Sequence, residues 1–219
     1  MSRAVIRDSL SISVAVGAYG AAFGVASVAA GLTVLQTCAL SLLLFSGASQ
    51  FAVAGVIGAG GSALSAIAAS GLLALRNGFY GARMAPLLKV RGIKRILASQ
   101  ITIDESTAIA LAHENESAAN ARKGFWLTGA GIYFFWNLAT LIGALGANAL
   151  GDPAQWGLDA TIPAAFLGLL WPRLQSSLSK FVAISAVALA LILTPILTPG
   201  IPIIACVLIP LIAGWRTRS

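Results

Sequence analysis

The chain has 219 residues, 58% of them hydrophobic and only 10% charged, with a mean hydropathy of +0.89. Soluble domains run at about 45–50% apolar and about 25% charged, so the composition excludes a soluble globular protein and identifies an integral membrane protein. The 14 Lys and Arg exceed the 7 Asp and Glu to give a net +7, but six of the basic residues fall between Arg76 and Arg95, where they suit an anionic cytoplasmic leaflet rather than nucleic acid.

In chain order, Arg3 and Arg7 precede an apolar stretch over 9–30 that is long enough to span and reads as an uncleaved first helix rather than a removed signal. Gly20 and Gly24 within it stand at small-xxx-small spacing, which favours close helix packing. A second segment, 35–57, carries the interruption Phe45-Ser46-Gly47-Ala48-Ser49-Gln50-Phe51 inside a run without charge from Ser9 to Leu75. Polar or non-helical backbone at that depth survives only when buried in protein or lining a wet cavity. The third segment, 62–75, would reach only about 21 Å as a helix, less than a bilayer core of about 30 Å.

From 76 to 99 the chain is basic, with no acidic residue. Residues 101–113 form a second short helical pattern, and 115–123 are polar. Apolar segments resume at 125–150, 162–174 (short, closed by Trp171-Pro172), 180–197 and 201–215. Trp126, Trp156, Trp171 and Trp215 lie near segment ends, as interface anchors should.

Counting back from Arg216 and Arg218 by the positive-inside rule puts the C-terminus in the cytoplasm. The 198–200 turn and the loop with Asp152 and Asp159 are then outside, and Arg173 to Lys180 and Arg122-Lys123 inside. Segment 101–113, basic on both sides, should enter and leave on one face as a re-entrant element. Arg3 and Arg7 are also inside only if segment two or three fails to cross, and the broken second and short third segments favour that arrangement. The expected fold is an all-α integral membrane protein of about six full spans plus short broken or re-entrant helices. It forms one polytopic domain over 1–219, with halves at 9–98 and 125–215 around the re-entrant segment 99–113. Gly31-Leu32 and Gly157-Leu158 open corresponding loops, each followed by a broken helix (Ser46–Gln50; Leu170-Trp171-Pro172), the pattern of an internal repeat.

Three stretches carry candidate chemistry. Ser46, Gly47, Ala48, Ser49, Gln50 and Phe51 read as a helix break whose free backbone groups meet a polar substrate, or as hydrogen-bonding glue between helices. Gly47-Ala48-Ser49 also begins like a nucleophile elbow, but His113 is the only histidine to act as a base. Arg76, Asn77, Tyr80 and Gly81 stand where the charge-free run ends; Arg76 there is either a snorkelling cation or a substrate ligand. Asp104 and Glu105 follow Thr102, and Thr102-x-x-Glu105 fits a capping box. Equally, a carboxylate at depth is costly and usually functional. Cys38 and Cys206 sit in apolar segments, so neither a disulfide nor a metal site is expected. No nucleotide-binding, HExxH or CxxC motif is present, and no cofactor is expected.

Gly47-Ala48-Ser49-Gln50-Phe51, then Arg76-Asn77-x-x-Tyr80-Gly81, then Asp104-Glu105 resemble the AzlC family of branched-chain amino acid permeases, over roughly 8–145 and more loosely to the C-terminus. Ala74 and Asn77 depart from a common form of the second motif, and Ile103 interrupts the Thr-Asp-Glu of the third. The resemblance implies an exporter of valine, leucine, isoleucine or similar amino acids in a bacterial inner membrane. It would be driven by protons and assembled with a small AzlD-like membrane protein. In that setting, N–H groups at 47–50 and Arg76 would hold the carboxylate, and Asp104 or Glu105 would face the ammonium or titrate. Phe45, Phe51 and Phe79 would wall the side chain. The competing readings are a non-transporting membrane scaffold subunit, an intramembrane hydrolase through Ser49, and a passive channel.

Overall fold

A computed structural model describes residues 3–149, 155 and 161–216. Among them all regular structure is helical, and the protein is an all-α membrane protein. Leu150, Asp152, Trp156, Gly157, Leu158, Asp159 and Arg218 lie outside the described residues.

Helix α1 (Arg3–Ala29) and helix α7 (Ala118–Ala149) are the two helices among the described residues long and apolar enough to span by themselves. They pack in parallel, Gly17 against Phe135 and Gly24 against Thr140 and Ala144. A Cβ on Gly20 would collide with the Trp136 carbonyl, and one on Gly143 with the Ala21 carbonyl. The Gly20/Gly24 spacing therefore marks the central seam, where bare backbones give contact that larger side chains would prevent.

After α1, Gly31 turns with φ +93. Thr33 and Gln36 cap helix α2 (Val34–Leu43) reciprocally, the Gln36 N–H donating to Thr33 Oγ1 and the Thr33 N–H to Gln36 Oε1. The chain then breaks at residues 44–46 and reverses into helix α3 (Gly47–Gly58). A groove lined by Gln36, Leu40, Val53 and Ile57 runs between the two, and Gly58 ends beside Ala30. The expected broken second segment is thus a hairpin that returns to the end of the bundle where α1 finishes.

Helix α4 (Ala63–Leu88), capped by Ser62, has 26 residues, about 39 Å. This corrects the short third segment: the helix passes through Arg76, Asn77, Tyr80 and Gly81 instead of stopping there. Charge does not end it because Arg76 and Arg83 are each paired, with Asp104 and Glu114. It is the second segment that turns back.

Helix α5 (Ile93–Gln100), unforeseen in the sequence, and helix α6 (Asp104–Ala112) form a second hairpin. Its tip reaches the first, since Gln100 Nε2 donates to the Leu42 carbonyl at 2.9 Å. Its base returns to the start of α1, where His113 Nε2 lies 3.4 Å from Asp8. The hairpin is made by residues 93–112; residues 101–113, expected to enter and leave on one face, run one way from its tip to its base.

Helix α8 (Thr161–Leu170) has ten residues and ends in a 3-10 turn, Trp171–Arg173. Helix α9 (Ser177–Leu193) follows, capped by Ser176. Phe166 meets Phe51 edge to face, with centroids 6.0 Å apart. Helices α10 (Ile201–Cys206) and α11 (Leu208–Arg216) close the chain, with Gly200 against Ser65 at the start of α4.

Candidate functional site

Three interrupted helices meet inside the bundle, and their polar groups are arranged in two distinct ways. At the α2–α3 break, the last carbonyls of α2 have no helical partner, as at any helix end. Gln50, wholly buried on α3, donates to the Leu44 carbonyl at 2.7 Å and the Ser41 carbonyl at 3.4 Å. Its Oε1 accepts the Trp136 indole N–H at 2.9 Å. Tyr133 donates to the Leu42 carbonyl at 3.1 Å, beside Gln100. Ser49 donates to the Ser70 carbonyl of α4 and can accept from the Ser46 hydroxyl 3.1 Å away. Ser46, Ser49, Gln50 and Phe51 are all buried, while Gly47 and Ala48 are half-buried. Gly47 lies under the Trp136 ring, where a Cβ would come within 2.9 Å of it.

The second arrangement centres on Asp104, the first residue of α6. Arg76 Nη1 sits 2.7 Å from its Oδ2, and Arg173 Nη2 sits 3.6 Å from the same oxygen. The Tyr80 side chain, one turn after Arg76 on α4, lies beside Asp104. Thirteen residues of α4 precede Arg76 and twelve follow it, so this cluster sits level with the middle of the helix. Asp104 Oδ1, Arg76 Nε and Asn77 Oδ1 are buried and have no hydrogen-bond partner among the described residues. Glu105, half-buried, brings a second carboxylate beside Asp104.

The capping box expected from Thr102 and Glu105 does not form. Ile103 occupies the cap position, and Ser106 Oγ accepts its N–H at 3.1 Å. Thr102 instead donates back to the Ala98 carbonyl at the end of α5. Neither carboxylate is therefore spent on capping, and both remain in the cluster. Arg76 is likewise not a snorkelling end residue.

The two arrangements adjoin. Ile103 packs in one apolar cluster with Phe45, Phe51 and Trp136. Phe79, expected to wall the site, is 76% exposed on the outer face of α4 and takes no part. Nothing would contact a Cβ on Gly81 within 4 Å. Ser49 and His113 have separate partners, the latter Asp8 and Glu116, so they form no dyad. Arg173 is the site residue that sequence reasoning missed. It was placed in a cytoplasmic loop, although its position directly after the Trp171-Pro172 break was the signal that could have found it.

A family model described as AzlC protein matches residues 11–150. The chain is 35% identical over 196 residues to an uncharacterized membrane protein of Archaeoglobus fulgidus, covering 88% of this chain and 85% of that one. It is 28% identical over 194 residues to the inner membrane protein YgaZ of Escherichia coli K12, covering 83% and 76% respectively. No solved structure matches. Matched over most of its length from the first helix to the end of α7, the chain belongs to the AzlC family, a family of membrane permeases.

Proposed function

We propose that the protein exports branched-chain or similar small hydrophobic amino acids across a bacterial inner membrane, driven by the proton gradient. On this reading it acts as one polytopic domain, with its C-terminus in the cytoplasm and a small AzlD-like membrane protein as partner. The observation that carries the reading is the Asp104 cluster. A carboxylate with two guanidiniums, and with one buried oxygen of its own unpartnered, lies where helix breaks converge. Discontinuous helices at mid-depth are where secondary transporters place substrate and coupling sites, and ionisable groups there are expensive enough to demand a role. A zwitterion needs both signs of charge, and the cluster supplies both. Phe45, Phe51 and Ile103 beside it are apolar surfaces that suit a branched side chain.

The test is export of labelled valine and leucine from cells with and without the protein and its small partner, in the presence and absence of a protonophore. Export that appears with the protein and collapses with the gradient supports the reading. Gradient-independent, non-saturating flux would make it a channel. No flux of any amino acid at normal membrane abundance would make it a scaffold subunit.

A further inference from the structure

Asp104 is held unevenly by its two arginines. Arg76 is 30% exposed and grips Oδ2 at 2.7 Å, whereas Arg173 is 62% exposed and stands off at 3.6 Å from that same oxygen. One guanidinium is enough to orient and neutralise one carboxylate. The second therefore adds a positive charge that Asp104 does not require. Arg173 also rides on a different support: Arg76 is fixed in the middle of α4, while Arg173 closes the 3-10 turn between α8 and α9. On the other side, Oδ1 of Asp104 is buried without a donor, an acceptor that is costly to leave unmade.

We infer that Arg173 is the residue that binds the carboxylate of the transported amino acid, that Asp104 Oδ1 accepts its ammonium group, and that Arg76 is a positioning residue holding Asp104 through Oδ2. This inference rests on the amino acid reading above. It divides labour that charge alone leaves ambiguous. Arg76 holds Asp104 at 2.7 Å through Nη1, and its Nε is buried away from the exposed side of the cluster. Arg173 has an exposed planar fork, the geometry that takes a carboxylate through two parallel hydrogen bonds. The ammonium then meets the one oxygen of Asp104 that neither arginine occupies. Because Arg173 belongs to the α8–α9 turn and Asp104 to the α5–α6 hairpin, a bound amino acid would bridge two separately mounted elements, so binding would draw them together.

The experiment is equilibrium binding of labelled leucine and of labelled 3-methylbutylamine, which keeps the side chain and ammonium but lacks the carboxylate, to the purified full chain. Arg173→Ala should weaken leucine about 10- to 100-fold, the worth of a hydrogen bond to a charged group, and Arg173→Lys should recover part of the loss. Amine binding should not weaken, since the Arg173 cation only repels an ammonium held by Asp104. Arg76→Lys should weaken both ligands together, since it displaces Asp104. Arg173→Gln, which keeps a polar side chain, is the second variant should Arg173→Ala fail to yield monodisperse protein. Unchanged leucine binding in the Arg173 variants, or equal loss of leucine and amine, would overturn the assignment while leaving amino acid transport intact. If the unaltered protein binds no amino acid, the amino acid reading falls, and this assignment with it.

Discussion

The α2–α3 break and the start of α6 adjoin through Ile103, yet their polar groups are treated in opposite ways. At the break, Gln50, Tyr133 and Gln100 bring donors from α3, α7 and α5 onto the carbonyls at the end of α2, and Ser49 ties α3 to the Ser70 carbonyl of α4. Trp136 completes Gln50. At α6, Asp104 Oδ1 and Arg76 Nε are buried without partners, and both arginines lean on the same oxygen of Asp104. A satisfied network rigidifies, whereas an unsatisfied one persists only where something else compensates its cost. The first region is thus the frame, and the second the place where a ligand completes the chemistry. A third polar cluster makes the same point: Asp8, His113, Glu116 and Asn120 link the first turns of α1 to the α6–α7 connection with each carboxylate engaged, as a staple does.

This contrast separates loss of activity from loss of stability. The largest effect expected is on transport from Asp104→Asn, which removes the charge but keeps the shape. Export should fall by about 10- to 100-fold or more, the worth of one or more charge-assisted bonds, a loss larger than any fall in folded protein once membrane abundance is matched. Next comes Gln50→Leu, which abolishes three hydrogen bonds and leaves the Trp136 indole N–H unpaired, while the Leu44 carbonyl keeps only the Ser46 N–H. A destabilisation of about 2–3 kcal/mol is expected, read as a drop in melting temperature, with activity recovered in whatever fraction stays folded. Trp136→Phe keeps the ring in the seam and drops only the N–H to Gln50. It should cost about 1 kcal/mol by the same assay.

The smallest effect belongs to the staple. His113 beside Glu116, with help from Asn120, holds the Glu116 carboxyl below its ordinary value of 4.5. A depressed carboxylate stabilises the fold fully above its unfolded pKa, and that contribution fades as pH falls through the folded value. The gap in melting temperature between the protein and Glu116→Gln should therefore be small, present above pH 4.5, and closed in stronger acid. A gap that widened in acid would show that Glu116 is not the group held.

Much of this was legible in the sequence because it follows from short-range rules. Gly20 and Gly24 announced the α1 seam, and Ser46–Gln50 announced a break. Basic residues on both sides of 101–113 pointed to a segment that turns back there, whereas the hairpin begins earlier, at Ile93, inside the basic stretch itself. What escaped depends on pairing across the chain. Arg76 looked like the end of a span because an unpaired cation ends one, and only Asp104, brought alongside by the α5–α6 hairpin, allows α4 to run on to Leu88. Arg173 looked like a topology signal for the same reason. The polar motif that stood out most, Ser46–Gln50, is the one whose side chains are turned inward onto backbone carbonyls. The quieter Thr102-Ile103-Asp104 was read as a cap, because local spacing cannot reveal that Ser106 takes that role.

The account turns on Asp104 as a working group rather than a structural one. The most direct test is gradient-dependent export of labelled leucine from cells carrying Asp104→Asn at membrane abundance matched to the unaltered protein, with Glu105→Gln alongside. The account predicts that Asp104→Asn leaves export at or near the level of cells without the protein. Normal, protonophore-sensitive export by both variants would contradict it and return the site to the α2–α3 break.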